Sequence, residues 1–118
     1  MKPLAMIVED DPQLNRIFSL TLKEYFEIES FSTGDTALAR LASVVPALVV
    51  LDLHLPGASG RETLAKIRAD ERLSNTRVII TTADERQAEV LGDEADVTLL
   101  KPVSSVQLRE LALRLCGL

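Results

Sequence analysis

Short apolar runs alternate along the chain with longer stretches of three- and four-residue apolar spacing, the pattern of parallel strands covered by helices. The first run, Leu4 to Val8, is followed from Pro12 to Tyr25 by Leu14, Ile17, Phe18, Leu22 and Tyr25 on one helical face. Asp11 before Pro12 marks the start of that helix twice. The aspartate is a side-chain cap, and the proline takes the first helical position, where its missing N–H costs nothing. Glu27 to Ser32 mixes charge with Ile28 and Phe31, which suits an edge strand. After a turn at Thr33, Gly34 and Asp35, a second helical face runs through Ala37, Leu38, Leu41, Ala42 and Val45 and ends before Pro46. Ala47 to Leu51 has no polar residue, so it must be covered on both faces and lie centrally in the sheet.

Ser59 to Arg72 carries Leu64 and Ile67 on a third helix, and Val78 to Ile80, running into Thr81, reads as a fourth strand. Around Asp84 to Glu94 only Ala88, Val90 and Leu91 are apolar and Gly92 interrupts, so this helix is expected to be the most mobile element. Val97 to Leu100 is a fifth strand, and Leu108, Leu111, Ala112 and Leu115 line a last helix ending at Gly117. The class is therefore α/β, with a doubly wound parallel sheet.

Composition narrows the function more than the fold. The 118 residues fit one domain, 1–118, and 47% hydrophobic with 26% charged residues is a globular balance. A net charge of −5 disfavours contacts to phosphate backbones, so direct nucleic-acid binding is not expected. Cys116 alone makes neither an internal disulfide nor a thiolate metal site, and reads as an ordinary residue near a helix end. Met1 to Val8 reaches Glu9 too soon for a signal-peptide core, and no apolar run approaches the ~18 residues of a membrane span. The expectation is a cytoplasmic protein without a membrane segment.

A doubly wound sheet binds ligands outside the carboxyl ends of its strands, and the residues just after each apolar run are all chemically capable. They are Glu9, Asp10 and Asp11 after the first strand, Asp52 after the third, Thr81 and Thr82 after the fourth, and Lys101 before Pro102 after the fifth. Carboxylates gathered on one edge repel one another unless a cation intervenes. All the ligands are oxygens, with no Cys or His pair, which points to a hard divalent ion, magnesium above all. A metal, a lysine and a hydroxyl around a further carboxylate make a place for a phosphoryl group. Asp52 is the candidate acceptor, as an aspartyl phosphate, with Lys101 on one phosphoryl oxygen and Thr82 on another.

These residues resemble the receiver domains of two-component response regulators. The resemblance rests on Ile7 to Pro12 (IVEDDP), Val49 to Gly60 (VVLDLHLPGASG), Ile67 to Asp70 (IRAD), Val78 to Ala83 (VIITTA) and Leu100 to Pro102 (LKP), and covers essentially the whole chain. It implies a flavodoxin-like five-stranded sheet in the order 2-1-3-4-5. It also implies a metal site of Glu9, Asp10, Asp52 and the main-chain carbonyl of His54, with magnesium, or manganese in its place. Phosphorylation would fall on Asp52, with Thr82 and Lys101 as its chemical partners and a switch region of Thr82, Ala83, Thr98 and Pro102, the proline following a cis peptide. The implied function is a phosphoacceptor in a phosphorelay, served by a sensor histidine kinase or a histidine phosphotransfer protein and read by a downstream effector.

The chain departs from that pattern in the last third. Thr98 stands where most receivers have Tyr or Phe, Val103 replaces a common Phe, and Glu94 replaces a glycine. The altered Thr98 region is the only support for one rival, a receiver-fold binding module independent of phosphorylation, and retention of all five chemical positions argues against it. The other rival is a true enzyme, a small phosphatase or phosphotransferase using Asp52 as nucleophile. It lacks a second acid two residues on, where His54 stands, so turnover of a free substrate is not expected.

Overall fold

The structure, a computed structural model, describes residues 1–91 and 94–118. Five strands, β1 (Leu4–Val8), β2 (Glu27–Phe31), β3 (Leu48–Asp52), β4 (Arg77–Thr82) and β5 (Val97–Leu100), form one parallel sheet in the order β2-β1-β3-β4-β5. Five helices connect and cover them: α1 (Pro12–Leu22), α2 (Gly34–Leu41), α3 (Gly60–Ala69), α4 (Glu85–Leu91) and α5 (Ser105–Leu115). The strand order reverses between β1 and β3, and their carboxyl ends open the crevice where such sheets bind ligands. No helix among the described residues is long and apolar enough to cross a membrane.

Every residue of β3 is buried, as its unbroken apolar run requires of a central strand. Alternation sends Met6, Val8, Leu51 and Ile80 to one side of the sheet, where Ala37, Leu41, Leu64 and Ile67 cover them. Ala5, Ile7, Val50 and Ile79 point the other way, under Phe18 and Leu22 of α1 and Leu108 and Ala112 of α5. β2 is the expected edge, and its Glu29 pairs through both carboxylate oxygens with Arg40 of α2, at 2.8 and 3.0 Å.

The helix ends depart from the apolar pattern where a tertiary partner competes. Helix α1 stops at Leu22, and Tyr25 lies beyond it in a turn that brings the Glu27 N–H onto Pro3 O at 2.8 Å to start β2. Gly34 and Asp35 belong to α2 itself, because the Thr33 side chain accepts the Thr36 N–H and caps it. That helix ends at Leu41, whose carbonyl is taken by Arg72 Nη2 at 2.7 Å, and Val45 is left outside it and exposed. Helix α3 closes at Ala69. Asp70 turns extended and accepts the Arg72 N–H, capping a separate 3-10 turn, Glu71–Leu73. Among the described residues helix α4 covers Glu85–Leu91, with the Asp84 carboxylate accepting the Arg86 N–H before it; Gly92, the expected interruption, lies outside the described residues.

Candidate functional site

Asp52 ends β3 and Glu9 follows β1, so the crevice between those strands sets two carboxylates side by side. Both are buried, at 3% and 2% exposure, where an ionised group survives only with partners. Lys101, just after β5, supplies the cation. Its Nζ donates to Asp52 Oδ2 at 3.2 Å and forms an ion pair with Glu9 Oε1 at 3.0 Å. The His54 N–H donates to Asp52 Oδ1 at 3.1 Å, and the Asp11 N–H to Glu9 Oε2 at 3.2 Å. Burial, reinforced by Asp52, pushes the Glu9 carboxyl up to about 7, against the pull of Lys101 and the Asp11 N–H. Burial works against the Lys101 ammonium, but Glu9 and Asp52 outweigh it and hold its pKa above the ordinary lysine range.

The local backbone is built for this placement. The Leu53 N–H reaches Thr81 O at 3.0 Å and the Lys101 N–H reaches Thr82 O at 2.8 Å, continuing the sheet past the last apolar residues. Asn15 of α1 donates from Nδ2 to Glu9 O at 3.0 Å and to Phe31 O at 3.1 Å, pinning the ends of β1 and β2 together. Gly60 opens α3 directly against the chain leaving β3, and a Cβ there would strike Asp52 O and Leu53 Cα. Gly57 and Gly60, spaced as G-x-x-G ahead of the third helix, both read from sequence as turn glycines. The actual requirement at Gly60 is close backbone approach, whereas Gly57, at φ +73°, is the true turn residue.

Of the residues singled out from sequence, Glu9, Asp52 and Lys101 touch one another. Asp10 is exposed, yet one of its carboxylate oxygens lies with those of Glu9 and Asp52 in a cluster within 4.8 Å. Thr82 is fully buried, and its hydroxyl accepts the Asp84 N–H at 3.0 Å while keeping its own hydrogen to donate. The His54 side chain is exposed, and only its main chain reaches the site. Ala83 is exposed after β4, and Pro102, exposed after β5, follows a cis peptide from Lys101. Thr98 pairs with Ile80, on the opposite sheet face from Asp52. The sequence pattern offers little sign of Asn15, a lone polar residue on an apolar helical face, and marks Thr81 only as a residue at the end of the fourth strand, without a role. Cys116 is half-buried beyond α5, and burial pushes its thiol up, as befits an unreactive position.

The cluster of Glu9, Asp10 and Asp52 fits a hard cation. The donors are all oxygen, two are buried, and Glu9 Oε1 is buried with no hydrogen-bond donor of its own. One exposed and two buried carboxylates also leave a ligand access from the sheet edge.

The sheet order and its helical cover recur in known proteins. A family model described as response regulator receiver domain matches residues 5–113. The phosphate regulon transcriptional regulatory protein PhoB of Rhizobium meliloti (strain 1021) is 33% identical over 112 residues, which are 92% of this chain and 49% of that protein. The chain thus spans about half the length of this curated relative. Among solved structures, the BeF3-activated DrrB receiver domain superposes with a TM-score of 0.90 at 26% identity, covering 100% of both chains. The receiver domain of the sensor histidine kinase PA1611 from Pseudomonas aeruginosa PAO1, solved with a magnesium ion coordinated in its active site cleft, has a TM-score of 0.89 at 21% identity, with 100% of both chains covered.

Proposed function

The chain belongs to the response regulator receiver domain family of two-component systems, and from that premise we propose that it takes a phosphoryl group from a phosphohistidine onto Asp52. Members of this family are signalling switches rather than enzymes that turn over a free substrate. The observation that carries the proposal is the buried pair of Glu9 and Asp52 bridged by Lys101 at the strand-order reversal.

An Asp52 carboxylate oxygen forms the new O–P bond as the N–P bond of the donor histidine breaks, and the imidazole leaves with the bonding pair and takes up a proton. Lys101, now on Asp52 Oδ2, is placed to follow the charge onto a phosphoryl oxygen. Thr82 has a free hydroxyl hydrogen for another while its oxygen keeps the Asp84 N–H. Asp10, Asp52, the His54 carbonyl and Glu9, directly or through water, would hold magnesium, which neutralises the phosphoryl oxygens during transfer. The donor is a sensor histidine kinase or a histidine phosphotransfer protein, the product is read by a downstream protein, and the reaction belongs in the cytoplasm.

Intact mass after incubation with acetyl phosphate, with and without magnesium, tests this on the parent and on Asp52→Asn in parallel. One phosphoryl group on the parent alone, and only with magnesium, is expected. Labelling of Asp52→Asn at the parental rate would overturn the acceptor assignment. A folded, magnesium-binding parent that takes no label would instead favour a binding module independent of phosphorylation.

A further inference from the structure

Thr81 has no part in the reading above, yet its hydroxyl is buried at 1% exposure with no hydrogen-bond partner. Its place in the register is specific. Thr81 stands between Asp52 on β3 and Leu99 on β5, and paired residues of parallel strands point to the same face. Leu99, Val50 and Ile79 lie in the core beneath α1 and α5, which identifies that face and places Thr81 and Asp52 at its carboxyl edge. Lys101 follows Leu99 by two residues on the same side, but its Nζ reaches Asp52 at 3.2 Å and Glu9 at 3.0 Å. Strand β4 lies between β5 and β3, so the lysine crosses the end of β4, whose last residue on that face is Thr81.

The ammonium carries three donor hydrogens and makes one hydrogen bond among the described residues, to Asp52. Its ion pair with Glu9 Oε1, at 3.0 Å, takes at most one more, so at least one donor is spare. A buried hydroxyl without a partner is less stable than a methyl group of the same shape. Here it belongs to the strand end that a lysine with a spare donor must cross. We propose that Thr81 is a positioning residue for Lys101: its hydroxyl accepts a hydrogen bond from the ammonium as phosphoryl transfer uses up the Asp52 charge that now holds it. The inference rests on Asp52 as the acceptor. Once Asp52 becomes an acyl phosphate the negative charge moves outward onto the phosphoryl oxygens, and the lysine has to follow it while keeping its ion pair with Glu9. Thr81 keeps it over β4.

Parent, Thr81→Val and Thr81→Ser are compared with phosphoramidate and magnesium over a range of donor concentrations. Thr81→Val is expected to keep the donor concentration for half-maximal rate and to lose about tenfold in maximal rate. Thr81→Ser should return to within about twofold of the parent, since it restores the hydroxyl and not the methyl. A second readout needs no turnover: with beryllofluoride and magnesium, the Lys101 ammonium should give a protected nitrogen resonance in the parent and Thr81→Ser but not in Thr81→Val. The valine variant should melt no lower than the parent, so misfolding is separable. Equal rates and equal ammonium protection in Thr81→Val would overturn the inference alone. A parent that takes no label overturns the acceptor reading and the inference with it.

Discussion

The buried acids at the head of the sheet are kept tolerable by one residue. Lys101 faces Glu9 and Asp52 together, and nothing else cationic among the described residues is paired with either. Lys101→Ala therefore strands two neighbouring carboxylates in a buried place, and should cost about 2 kcal/mol in chelator, less than a fully buried pair because the lysine is 22% exposed. Magnesium should return more stability to the variant than it adds to the parent, since the ion then meets uncompensated charge. Urea titrations with and without the metal read both effects. A variant as stable as the parent in chelator would show that the carboxylates do not need the lysine. The acids, the lysine and Thr82 were legible in the sequence because each interrupts or ends an apolar run. The close approach that requires Gly60 and the unpartnered hydroxyl of Thr81 were not, because both depend on which strand lies alongside, and a single chain pattern does not carry that.

Among elements, the strands were read within a residue or two and the helix ends less well. An apolar run has to stop where cover stops, so β1 and β5 fall on their expected residues. Helix ends are set by whichever group captures the last carbonyls, and Arg72 on Leu41 O comes from far along the chain. Asp96 makes the same kind of long-range tie at the other end of the sheet. It accepts the Val78 N–H at 2.7 Å, Arg68 at 2.9 Å and Arg77 at 3.3 Å, joining α3, β4 and the start of β5. Burial raises its pKa, but the Val78 N–H and the two arginines outweigh it and hold the carboxyl below the ordinary 3.8. A depressed pKa stabilises the fold above the unfolded value and loses that contribution as pH falls through the folded one. Asp96→Asn should thus cost about 1–2 kcal/mol at neutral pH, after allowance for its half-exposed arginine partners. The gap between parent and variant should narrow as the pH falls below 3.8. Urea midpoints at neutral and acid pH check this, and a gap that is constant with pH would remove the ionic share.

At the scale of the molecule, a change at Asp52 has to travel from the crevice across β4 to reach the surface formed by α4, β5 and α5. On the proposed reading Thr82 would be the first step, and its hydroxyl already accepts the Asp84 N–H, so donating to a phosphoryl oxygen would not oblige the turn before α4 to open. Thr98 is the next step on that face of the sheet, half-buried opposite Ile80. A threonine there has no ring to swing between inward and outward positions, as the Tyr or Phe of most receivers does. A displacement at Thr82 would then have no large side chain to drive, and a packed core responds only where a second arrangement exists. Beryllofluoride with magnesium should therefore shift amide resonances strongly at Glu9 to Asp11, Asp52 to Gly60, Thr81 to Asp84 and Lys101. Changes over the rest of Val97 to Leu115 should be smaller than in receivers with the aromatic residue. Large shifts spread across Val97 to Leu115 would mean that the signal crosses by another route, through the main chain of β5 pulled by Lys101 rather than through a side chain at position 98.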